Sequence, residues 1–415
     1  MRLRIYLSQF CFLLILWAAS GFSADWSQWR GPSRDGHSPE KGLLQAWPKD
    51  GPRLAWKTSG LGRGYSSVAV VGSRIFCMGE SGENSFVSAV SRADGKSLWT
   101  TKVDRAGAPG WGGFAGPRST VTVAGDLVFA LGQYGELVCL EADSGKEKWR
   151  KNFPRDFQGK PPEWGFSESP LVDGDRLVCT PGGAQGTVLA LDVKTGKTLW
   201  RSKELTDSAA YSSLILVEID GVPQYIQLTA ASVAGLAADS GRLLWRAPRR
   251  GETAVIPTPI YHDHHVYVSS GYGVGCNLFK ITKHENAFSA EQVYANKVMV
   301  NHHGGVVLVG DHVYGYSDGK GWVCQELKSG QMIWSEKKFP KGSVTFADGR
   351  LYLRAEDGAG LVGLIEPTPE GYREKGRFTQ PERRKENSWA HPVVVGGKLY
   401  LRDQDLLLCY DIQAQ

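Results

Sequence analysis

The side chains able to do chemistry stand in short aromatic and polar stretches spread along the chain. They are Arg63-Gly64-Tyr65, Trp111-Gly112-Gly113-Phe114 with Arg118, Trp164-Gly165-Phe166-Ser167-Glu168, Tyr211, Asn301-His302-His303, Lys341 and Trp389-Ala390-His391. Apolar rings with a few cations, imidazoles and a carboxylate are the makings of a ligand pocket. Trp, Tyr and Arg are also the residues that carry most interface energy in recognition. Acid–base chemistry in this set would fall to Glu168 with His302, His303 or His391. The competing reading is loop glycines with aromatic plugs that seal a channel. His262-Asp263-His264-His265 is the densest metal-like cluster. It falls in the turn of a hairpin from Tyr261 to Val268, so solvated histidines on the far face are expected and no metal site. No Ser-His-Asp arrangement or phosphate loop is found. Gly271-Tyr272-Gly273-Val274-Gly275 has no following helix to bind phosphate.

The elements that must position these residues repeat. A unit ending in Gly-x-x-x-Trp recurs at Gly95–Trp99, Gly145–Trp149, Gly196–Trp200, Gly241–Trp245 and Gly330–Trp334. Alternating runs precede it, as in Val121-Thr122-Val123-Ala124 and Leu127-Val128-Phe129-Ala130 around Gly125-Asp126, which is a hairpin pattern. Four short strands, a to d, in about 40–50 residues make a propeller blade. Trp56, Trp99, Trp149, Trp200, Trp245 and Trp334 hold the docking position on strand d, with Tyr294 and Phe378 in two decayed copies. Leu406 to Asp411 stops where a last strand d should follow, and Leu54 to Lys57 has no strands before it. The expected fold is all-β: a single eight-bladed β-propeller of four-stranded antiparallel blades, its ring closed by the N-terminal strand. In such a ring the d–a and b–c loops gather at one mouth of the channel, which brings the polar-aromatic stretches together.

The 415 residues include 51 glycines and 14 tryptophans, with 41% hydrophobic and 22% charged residues, which excludes a mostly disordered chain. The formal charge is +5, and Arg2 and Arg4 precede any acid, leaving +3 for the rest. Without a basic stripe this excludes a nucleic-acid partner. Residues 1–23 read as a signal peptide: two arginines, an apolar run from Phe10 to Ala19, and small residues Gly21 and Ser23 at a cleavage site. Residues 24–51 form a leader and 52–415 the propeller, exported to the periplasm or cell envelope with no transmembrane segment after cleavage. Cys77, Cys139, Cys179, Cys324 and Cys409 each fall in a strand, about one per repeat, too far apart to bridge; buried thiols are expected.

Ala190-Leu191-Asp192-Val193-Lys194-Thr195-Gly196-Lys197-Thr198-Leu199-Trp200 is the fullest repeat. It resembles the tryptophan-docking motif of the PQQ-like β-propeller repeat family, complete once and partial four times over about residues 52–413. The leader Trp26-Ser27-Gln28-Trp29-Arg30-Gly31-Pro32-Ser33-Arg34-Asp35-Gly36 looks like the opening of exported bacterial proteins of that kind. The resemblance implies eight blades, as in its quinoprotein alcohol dehydrogenases and in the outer-membrane assembly factor BamB. A quinone would need a ring to stack on, such as Trp111, Trp164 or Trp389. It would need cations such as Arg63, Arg118 and Lys341, and Ca2+ ligands such as Glu168 and Asn301. The vicinal cysteine pair that those dehydrogenases place beside their quinone is absent, as is an acidic pair to divide between metal and base. The expectation is therefore a binding or scaffold module that holds an envelope protein or glycan through its loop face, with no cofactor. The alternative is a PQQ-dependent oxidoreductase with Ca2+.

Overall fold

Short β-branched runs broken every few residues by glycine turns pair each with the next, and the computed structural model shows the sheets that result. It describes residues 25–110 and 112–414, so the predicted signal peptide and Trp111 lie outside the described residues. Among the described residues are eight sheets. Blades 1 to 7 span 69–105, 122–152, 171–201, 215–248, 260–296, 306–336 and 342–379. Blade 8 takes Val393–Val395, Lys398–Asp403 and Leu406–Asp411, and its outer strand is Arg53–Thr58. Leu54 pairs with Tyr410 and Trp56 with Cys409, so the ring closes as predicted. Among the described residues the one helix is the short Phe153–Phe157, capped by Asn152.

Apolar clusters sit between blades rather than within them. Phe76, Val87 and Ala89 of blade 1 meet Val128, Val138 and Leu140 of blade 2, and Phe129 and Cys139 of blade 2 meet Leu177 and Leu191 of blade 3. The six described cysteines, Cys276 included, are free and buried, as small apolar residues would be.

The repeated Gly and Trp have a shared cause. Each ring lies on the glycine of the next blade's c–d turn: Trp56 on Gly95, Trp99 on Gly145, Trp149 on Gly196 and Trp200 on Gly241. A Cβ at Gly241 would lie 2.3 Å from the Trp200 ring, and φ is +71° there, so only glycine serves both needs. The indoles of Trp56, Trp99, Trp149 and Trp334 also donate to carbonyls of the next blade, at Arg92, Ala142, Val193 and Thr368. Tyr294 takes this role through its hydroxyl, which donates to the Leu327 carbonyl at 2.8 Å. Phe378 lies on Gly51, because the leader supplies the turn glycine that the interrupted last blade lacks. Trp245 departs from the pattern: its Nε1 donates to Gln224 within its own blade. Blade 5 offers it no turn glycine, since its c–d hairpin turns through His284, Glu285 and Asn286.

The leader does what the repeats could not foretell. Trp26 bridges Val70 of blade 1, and the Val123 N–H of blade 2 donates to the Ser27 carbonyl. Trp29 donates to Thr258 at 2.9 Å, and Arg34 to the Ser169 carbonyl at 2.7 Å. His37–Ser38 then pairs in parallel with Phe346–Ala347. These partners are the innermost strands, or the residues just before them, in blades 1, 2, 3, 5 and 7. Residues 25–38 therefore rise into the channel from the a–b turn face, bend at Trp29–Arg34 and return. Residues 42–51 then run under blades 7 and 8 to the closing strand.

Candidate functional site

The plug closes the channel from one side, and the d–a connections close in above it around a cavity of about 300 Å3. Tyr65, Arg118, Trp164, Tyr211, His302, His303, Lys341 and Trp389 line it, together with Phe114, Ser167, Ser169, Ser213, Ala254, Ile256 and Asn387. Two b–c loops add Tyr272 and Glu356, and the plug adds Trp29.

One wall is a column of rings. Tyr65 stacks on Trp389 at 4.2 Å, Trp389 on His303 at 3.9 Å, and His303 lies 3.7 Å from His302. Tyr272 closes the column edge-on at 4.9 Å. Across the cavity Trp164 and Tyr211 form a second aromatic surface, 5.9 Å apart. Burial, with Lys341 nearby, pushes His302 down to about 4; burial also holds His303 far below the ordinary imidazole range. Both rings are therefore neutral at pH 7, and they stack as apolar plates. Burial raises the Glu356 carboxyl, whose Oε2 stands 4.0 Å from His303 Nδ1. Lys341 is paired with Asp318 at 2.8 Å.

The remaining candidates lie elsewhere. Arg63 turns to Glu80, 2.7 Å away, and does not line the cavity. Glu168 is buried beside the plug: one oxygen accepts the Thr180 N–H, the other has no partner, and burial pushes the carboxyl up to about 7. Asn301 spends its amide on the Gly305 and Tyr316 carbonyls. His391 lies behind the wall, 4.7 Å from Trp29 and bonded to the His303 carbonyl. Trp111 is outside the described residues. The His262–His265 stretch forms a turn on the opposite face, where His264 bonds Asp220 and Lys328 bonds Asp263.

Sequence reasoning passed over Trp29, Tyr272 and Glu356. Trp29 stands in a leader without periodicity, and only its spacing beside Trp26 and the buried arginines hints at a packed segment. The other two sit in b–c loops, which carry no repeated signal of their own.

The Ca2+ ligands that the resemblance suggested do not come together, while Trp164, Trp389, Arg118 and Lys341 of the suggested quinone site do line the cavity. Glu168 and Asn301 belong to blades 3 and 6, and each is bound within its own blade. Glu356 is the one carboxylate on the cavity wall among the described residues. No group of three or more His, Cys, Asp or Glu side chains among them is placed to share an ion.

Eight blades, docking rings between them and a loop-lined cup at one mouth define a PQQ-like β-propeller. The chain belongs to the family described as outer membrane protein assembly factor BamB, whose profile matches residues 83–336. It is 29% identical to the outer membrane protein assembly factor BamB of Escherichia coli K12 over 125 residues, which is 30% of this chain and 29% of that protein. The chain thus matches less than a third of that relative's length. Its fold is similar to that of BamB from Moraxella catarrhalis, with a TM-score of 0.61 and 15% identity over 86% of this chain and 98% of the other. It is similar too to quinohemoprotein alcohol dehydrogenase from Comamonas testosteroni, with a TM-score of 0.66 and 13% identity over 94% and 81%. At such identities the likeness is one of fold, and a fold shared by an assembly factor and a dehydrogenase leaves function to the site.

Proposed function

We propose that this chain is an exported propeller of the cell envelope that works as a binding or scaffold module, holding a protein or glycan partner through the face that carries the cavity. The observation that carries this reading is the wall itself: aromatic rings brought in by the d–a connections around the ring, with imidazoles kept neutral. Such a wall supplies apolar contact and little acid–base capacity. The relatives in Escherichia coli and other bacteria are named outer membrane protein assembly factors, and that role favours a protein partner. Among the described residues no helix is long and apolar enough to cross a membrane. An N-terminal segment with the features of a signal peptide fits export.

The test is affinity capture from envelope extract with the mature chain and with Ile256→Trp, which puts an indole into the cavity. Capture that survives this substitution would remove the reading. PQQ with Ca2+ is titrated alongside, with dye-linked alcohol oxidation as readout. Micromolar binding with turnover would put a quinoprotein oxidoreductase in its place.

A further inference from the structure

Arg118 is the cavity group whose charge the ring does not answer. Its Nη1 donates to the Trp164 carbonyl at 2.9 Å and its Nη2 to the Phe114 carbonyl at 2.6 Å, so the guanidinium is held in place. None of the ion pairs among the described residues includes it. The acid that acts on it from a distance is Glu80, which already holds Arg63, Gln133 and the Gly107 N–H. Of the other charged groups at the wall, Lys341 has Asp318, and burial raises the Glu356 carboxyl, which stands beside a neutral His303. A half-buried cation without a counter-charge is costly until an anion joins it, and a guanidinium tied by two carbonyls still has N–H groups to offer.

The rest of the wall says what else that anion must carry. Trp164 and Tyr211 offer apolar surface to a flat body, while Trp389, stacked between Tyr65 and His303, offers only its edge. The three serines of the wall are partly engaged. Ser169 Oγ accepts the Thr120 N–H, Ser213 Oγ accepts the Ser169 N–H, and Ser167 leans on the Gly165 carbonyl. A sugar acid would bring several hydroxyls to a wall that is mostly aromatic, where His303 Nδ1 and Trp389 Nε1 are the buried polar atoms left without a partner among the lining residues. A fused two-ring acid has the size for a cavity of about 300 Å3.

We infer that the cavity takes a flat, apolar ring system bearing a single carboxylate, with the carboxylate on Arg118. This rests on the binding-module reading and adds the chemistry of the ligand. The probes are 2-naphthoate, its neutral isostere 2-naphthamide, and galacturonate, titrated by calorimetry into the mature chain. The acid is expected to bind about tenfold or more tighter than the amide, the scale of a charge-assisted hydrogen bond, and galacturonate more weakly than both. Arg118→Gln should erase the preference for acid over amide, and Lys341→Gln should keep it. The comparison of acid with amide in the unsubstituted chain decides the question even where Arg118→Gln does not fold. Equal affinities, no binding by either naphthyl probe, tighter galacturonate, or a preference lost in Lys341→Gln would each overturn the assignment. Partner capture that persists without naphthoate binding would remove the ligand and leave the module. Capture that survives Ile256→Trp would remove the module itself.

Discussion

Glu168 is buried with one oxygen unpartnered, and its carboxyl titrates near 7 in the fold against an ordinary 4.5. The folded chain thus keeps a proton that the unfolded chain releases between those values. The stability tied to this proton is complete below pH 4.5 and is lost as pH rises through 7. Glu168→Gln is expected to melt above the unsubstituted protein at pH 8 and level with it at pH 4. A lower melting temperature at pH 8 would show that attraction to Arg34 outweighs burial. His302 and His391 run the other way, with pKa values of about 4 and about 3 against 6.5. Their unfolded forms take up protons first, so they cost stability as pH falls below 6.5.

At the scale of the element, the unit that matters is ring on glycine. Trp200→Ala removes the ring that covers Gly241 and lies 5.9 Å from Tyr225. It is expected to lower unfolding free energy by about 3 kcal/mol, the low end for aromatic truncation because the ring is only half-buried. A loss under about 1 kcal/mol in a denaturant titration would mean that the ring does not dock. This unit is also what made the fold legible. Its glycine and tryptophan are local in sequence and recur, and even Tyr294 and Phe378 could be found by position. Trp245 could not be told from its neighbours, because its partner depends on a turn in the following blade. The cavity was legible as a set of d–a connections, since blade topology alone sends them to one mouth. Which side chains reach the cavity was not. Arg63, Glu168, Asn301 and His391 answer to carbonyls, amides and acids supplied by other segments. The leader has no period at all, so nothing local showed that it would fill the channel.

For the whole molecule, closure and plugging are separable. Deleting residues 24–58 takes away the outer strand of blade 8 and the plug together, and should open the ring and lower the melting temperature sharply. An unchanged melting temperature would refute the closure. Deleting only 25–38 keeps Arg53–Thr58 in place. That variant is expected to stay folded with a reduced melting temperature and to lose cavity ligands along with Trp29. The path of the leader also fixes which way the molecule looks. Asp25 holds the Gly72 N–H at an a–b turn, and the Ala414 N–H donates to the Gly42 carbonyl beneath blade 8. Both ends of the described chain thus leave from the side away from the cup. A tether at either end, natural or attached to a sensor surface, presents the cavity outward, so immobilisation by the termini leaves the mouth open to whatever arrives from solution.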